Sequence, residues 1–159
     1  MDKLDQAISI TDQIRKALEA EVNRAREQRA LIRVMDVEGL VRRATLRAEF
    51  NTSVGQLQQQ LTVQLGAVAA ELGLPEMTVE ALGRHLPGSA ERLADSLAAI
   101  RALAGALAEL DDLNRLLGQR ALSYVRAYLG AVNPTPAAYD RRGSAATARP
   151  PTTTMSRVV

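Results

Sequence analysis

Residues 90–132 read AERLADSLAAIRALAGALAELDDLNRLLGQRALSYVRAYLGAV, and this stretch decides the fold. Within it Leu93, Leu97, Ile100, Leu103, Leu107, Leu110, Asn114, Leu117, Ala121, Tyr124 and Tyr128 recur at intervals of three and four without a slip. That spacing places side chains along one face of an α-helix. At a rise of about 1.5 Å per residue the helix is about 65 Å long, too long for a compact globule. A periodic pattern of this length points to a coiled coil or an elongated bundle. Asn133-Pro134 stops it, because proline cannot continue a helix.

Upstream, two more helical stretches are expected. The first runs from Leu4 to Val34, with Leu4, Ile8, Ile14, Leu18, Val22, Ala25 and Ile32 on its apolar stripe and Thr11 and Gln28 in the gaps. Met35-Asp36 offers a break with Asp36 as N-cap, although a continuous helix fits the same residues. The second stretch runs from Val37 to Leu72 and carries Val54, Leu57, Leu61, Leu65, Val68 and Leu72 at coiled-coil spacing. Gly73-Leu74-Pro75 ends it. Thr78 caps a short helix to Leu86, Pro87-Gly88 closes that helix, and Ser89 caps the long third one.

The expected architecture is all-α: an elongated antiparallel bundle or coiled coil of three long helices and one short connecting helix, over residues 1–133. Residues 134–159, rich in Pro, Thr and Arg, have almost nothing to bury and are expected to form a disordered tail.

Composition narrows the function. The chain has no Cys, which removes disulfides, thiolate metal sites and cysteine nucleophiles together. A single histidine, His85, argues against a histidine-based metal centre or a Ser–His triad and reads as a cation at a helix C-terminus. Ser89 and Ser123 have no base in sequence reach. Asp111 and Asp112 point about 100° apart on a helix, so they read as a solvated face. Neither a catalytic constellation nor a cofactor motif is present, and no enzymatic activity is expected. Charges every few residues near the N-terminus argue against a signal peptide, and no apolar run reaches the roughly 20 residues that span a bilayer. The expected location is the cytoplasm.

A sequence pI of 9.4 suggests a polyanion partner until its origin is traced. Residues 140–159 hold four arginines against one acid, Asp140, which leaves 16 basic and 17 acidic residues in the body. With a near-neutral body and few aromatics, nucleic-acid binding is not expected. Arg24, Arg26, Arg29, Arg42, Arg43 and Arg47 alternate with Glu21, Glu27, Glu38 and Glu49, which reads as intrahelical pairing on a wet face.

Two residues resist that bland account. Asn114 sits on the apolar seam between Leu110 and Leu117, where it either bonds within the chain or fixes register with a partner. Tyr139 is the one aromatic of the polar tail, either incidental or an anchor for a protein contact. Mid-helix glycines (Gly55, Gly66, Gly105, Gly118) point to close backbone approaches or to a helix that adjusts on binding.

The run LDDLNRLL (110–117), then Tyr124, then PTPAAYDRRG (134–143), resembles the C-terminal half of the FlgN family. That family carries L-N-x-x-N-x-x-L-L on a helix and a Pro-Thr segment leading to a Tyr and a Gly. Asn114 matches the second Asn, Leu116-Leu117 the Leu pair, and Tyr139 and Gly143 the tail residues, whereas Asp111 replaces the first Asn. The resemblance implies a cytoplasmic chaperone for the hook–filament junction proteins FlgK and FlgL, which holds their C-terminal segments and brings them to the flagellar type III export gate. It further implies a client groove of Leu107, Leu110, Leu113, Leu117, Ala121, Tyr124 and Tyr128, with Asn114 setting register and Tyr139 engaging the gate. The rival expectation is a structural coiled coil that self-associates through the same seams and has no client.

Overall fold

The computed structural model describes residues 2–132. The expected tail over 134–159 and Tyr139 within it lie outside the described residues. Four helices and no strand are found among the described residues: α1 (Asp2–Arg33), α2 (Val37–Leu72), α3 (Val79–His85) and α4 (Pro87–Val132). The described residues fall into two units that divide between residues 121 and 122.

In the first unit α1 and α2 form an antiparallel hairpin. The break at Met35-Asp36 is real: Met35 takes a left-handed φ of 55°, and the Asp36 side chain accepts from the Gly39 amide at 2.9 Å. Gly39 is required there, because a Cβ would meet the Asp36 carboxylate and lie 2.9 Å from Leu31 Cδ2. At the other end of the hairpin Lys3 pairs with Glu71 at 2.5 Å. α2 ends where Gly73 adopts φ 66° and its amide turns back to Ala69 and Ala70, a left-handed cap that relieves the last carbonyls.

α1 is the central element and α4 runs parallel to it. Leu4 and Ile8 pack with Val68, Leu82, Ala90 and Leu93 in one cluster. Ile10, Ile14, Leu18, Val22 and Ala25 pack with Leu107 in the next, flanked by Phe50, Val54, Leu57, Leu61, Ile100, Leu103 and Leu110. The seams expected on the second and third stretches are therefore the surfaces that close on α1. Leu82 is wholly buried, which stabilises the docked α3 by about 1.5–3 kcal/mol relative to an exposed leucine.

One boundary differs from expectation. α4 begins at Pro87 rather than after Ser89, with the Ala90 amide bonding the Leu86 carbonyl at 3.0 Å. Proline at the first helical position sacrifices only an amide that had no partner anyway, so Pro87 starts the helix instead of separating two.

Candidate interaction surface

The charged residues of α2 do more than line a wet face. Arg43, Arg47, Phe50 and Val54 follow one another at intervals of four, three and four, so the two arginines continue the apolar seam in phase. Their target is Glu21, which lies on the core side of α1 and is fully buried. Arg43 Nη2 donates to Glu21 Oε1 at 2.5 Å, Arg47 Nη1 at 3.0 Å, and Arg24 Nη1 reaches Oε2 at 3.2 Å. Burial pushes the Glu21 carboxyl up, but the bonds from Arg43, Arg47 and Arg24 outweigh it and hold the group below its ordinary value. Intrahelical pairing, as expected, does account for Arg24 with Glu21 at 3.2 Å and for Arg42 with Glu38 at 3.6 Å; on α4, Arg115 pairs in the same way with Asp112 at 3.0 Å.

Arg47 also reaches the third long helix. Its guanidinium forks onto Asp111, at 2.6 Å to Oδ2 and 3.3 Å to Oδ1, while lying 5.5 Å over the Phe50 ring. Asp111 is thus a cross-helix partner rather than part of a purely solvated face. Three residues further on, Asn114 Nδ2 donates to the Ala25 carbonyl at 2.7 Å. An open cleft of about 280 Å³ lies against these groups, lined by Gln28, Leu40, Arg43, Ala44, Arg47 and Asp111.

The expected groove residues divide by environment. Leu107 and Asn114 are buried against α1, at 5% and 4% exposure. Leu110, Leu117 and Ala121 are half-buried, and Leu113 is exposed beside Leu116. In the second unit, Tyr124 and Tyr128 are open to solvent at 76% and 68%. Leu122, Leu129 and Val132 are also exposed there, and Val125 is half-buried. At 100° per residue these six side chains occupy one arc about 160° wide on the helix. Leu122, Leu129 and Val132 were not singled out by sequence reading, which followed the two tyrosines; the 122-125-129-132 spacing was the signal that names them. A second exposed apolar group, Val34, Met35, Val37 and Val41, flanks the α1–α2 turn.

Among the described residues no group of His, Asp or Glu is placed to hold a metal ion, and no helix is long and apolar enough to cross a membrane. Residues 122–132 present a wide exposed apolar helical face in a segment whose only charge is Arg126.

No curated protein and no solved structure matches the chain. The family model described as FlgN protein matches residues 1–147, a span that includes all four helices and the LDDLNRLL motif. The chain therefore belongs to the FlgN family, the flagellar export chaperones, and its helices are those of a protein that binds flagellar proteins.

Proposed function

We propose that this protein is a non-enzymatic cytoplasmic chaperone that holds the C-terminal amphipathic helices of the hook–filament junction proteins FlgK and FlgL. Capture prevents their premature assembly, and the chaperone then delivers them to the type III export gate. The observation that carries this reading is the exposed apolar arc of residues 122–132. An amphipathic helix that would otherwise self-associate finds there a row of apolar anchors at i, i+3, i+4 and i+7 spacing. Among the eight groove positions, Tyr124 and Tyr128 take the anchoring role, because tyrosine gives large contact area at low entropy cost. Leu107, Leu110 and Asn114 first serve the fold. Tyr139 is assigned the gate contact.

The test is co-purification of the FlgK or FlgL C-terminal segment with the chain and with a version lacking residues 122–132. Loss of capture on deletion supports the reading, and undiminished capture contradicts it. Tyr139→Ala is expected to retain capture and lose export. The same exposed arc also suits a second copy of the chain. A stable oligomer in sedimentation that buries Tyr124 and Tyr128 and takes up no segment would favour self-association instead.

A further inference from the structure

The polar junction between the hairpin and α4 has three properties that do not belong to a permanently closed core. Among the described residues backbones approach most closely between α1 and α2, whereas α4 meets the hairpin chiefly through its side chains, one of them on the Ala25 carbonyl. Buried polar atoms at the junction lack partners among the described residues: Arg43 Nε and Nη1, and Asn114 Oδ1. Such atoms are rare in settled interiors because each forfeits its bond to water without replacement. Finally, Gly105 and Gly118 bracket the seam segment of α4, and a Cβ at either would meet nothing within 4 Å. Close packing does not explain them, nor Gly55 and Gly66 on α2, which have the same open surroundings.

Arg47 is the group these properties surround. It holds two carboxylates at once, Glu21 in the core and Asp111 on α4. Glu21 is sealed, but the Asp111 side chain keeps 40% of its surface in solvent and faces the open cleft. The outer carboxylate is therefore the exchangeable one. If Asp111 leaves, Arg24, Arg43 and Arg47 remain around the single buried anion Glu21, an excess of positive charge that invites another carboxylate.

We propose that the Arg47–Asp111 pair is an exchangeable clasp: a partner helix carrying Asp or Glu beside its apolar stripe takes Arg47 from Asp111, freeing the α4 seam at Leu107, Leu110 and Asn114 to receive that helix. The inference rests on the client reading above and adds to it a partner chemistry and a covered part of the surface. Charge complementarity selects the occupant, since an apolar helix without an acid leaves Arg47 bound to Asp111. The clasp makes the competent state a minority of the free protein, so apparent affinity is reduced by the closed fraction.

The experiment compares full-length wild type with Asp111→Asn, using the FlgK C-terminal segment and a version with its Asp and Glu changed to Asn and Gln. Asp111→Asn weakens the clasp while sparing Arg47 and Glu21. It is expected to raise affinity for the native segment roughly fivefold and to speed amide exchange over residues 107–117 relative to residues 10–25. The amidated segment is expected to bind wild type at least about fivefold more weakly than the native one. Equal affinity of wild type and Asp111→Asn for the native segment, with unchanged exchange over 107–117, overturns the clasp and leaves the client reading standing. Absence of segment binding by both proteins overturns the client reading, and the clasp's occupant with it.

Discussion

Arg43 on α2 donates to Glu21 on α1 at 2.5 Å, and both side chains are almost entirely withdrawn from solvent. A buried pair of this kind adds little compared with well-packed apolar residues, yet removing one partner strands the other charge. Glu21→Ala, which strands Arg43 and leaves Arg47 and Arg24 short of an acceptor, is expected to cost about 3–5 kcal/mol in urea unfolding. Arg42→Ala, from an exposed pair at 3.6 Å, is expected to change stability by less than about 0.5 kcal/mol.

The same cluster sets an acid dependence. Glu21 has a folded-state pKa below its ordinary value of 4.5. Its stabilising contribution is therefore complete above that value and is lost as pH falls through the depressed folded pKa. The exposed Glu71, held down by its bond from Lys3, acts in the same direction. Urea midpoints measured from neutral pH downward are expected to hold until about pH 4.5 and then fall. Glu21→Gln should start lower and fall less steeply. A wild-type midpoint that rises on acidification contradicts the assignment.

Glycines of opposite character give a paired test. Gly105→Ala and Gly118→Ala place a methyl group in open space and are expected to raise stability by up to about 1 kcal/mol each. Gly39→Ala drives a Cβ into the Asp36 carboxylate that caps α2 and is expected to cost about 1–2 kcal/mol, the worth of the lost cap. Thermal unfolding of the three variants checks the contrast.

Much of the fold could be read from residue spacing. Val54 to Leu72 and Leu93 to Leu110 repeat at threes and fours, and Gly73, Thr78 and Asp36 are cap residues in the positions where caps are used. Pro87 was misread because a proline after a short helix signals a stop equally well as a start. The polar junction was hidden for a different reason. Glu21 and Asp111 each have an arginine three or four residues on, Arg24 and Arg115, so pairing along one helix accounts for them equally well, whereas Arg43 and Arg47 have no acid at that spacing and read only as members of a charged stretch. Only their phase with the neighbouring apolar residues separates the two cases. For Asn114 the sequence left an internal bond and a partner contact level, and the bond to Ala25, a residue 89 positions away, is invisible to local pattern.

The claim on which the function turns is that the apolar arc of residues 122–132 is the place where a client helix lands. Only three tyrosines occur in the chain, without tryptophan, and two of them, Tyr124 and Tyr128, lie on that arc. Fluorine NMR of the 3-fluorotyrosine-labelled protein, titrated with the FlgK C-terminal segment, therefore reads the surface directly. The account predicts that the resonances of Tyr124 and Tyr128, assigned with single Tyr→Phe variants, shift together and lose their solvent isotope effect as the segment binds. Binding that leaves both resonances unmoved and solvent-exposed would contradict it.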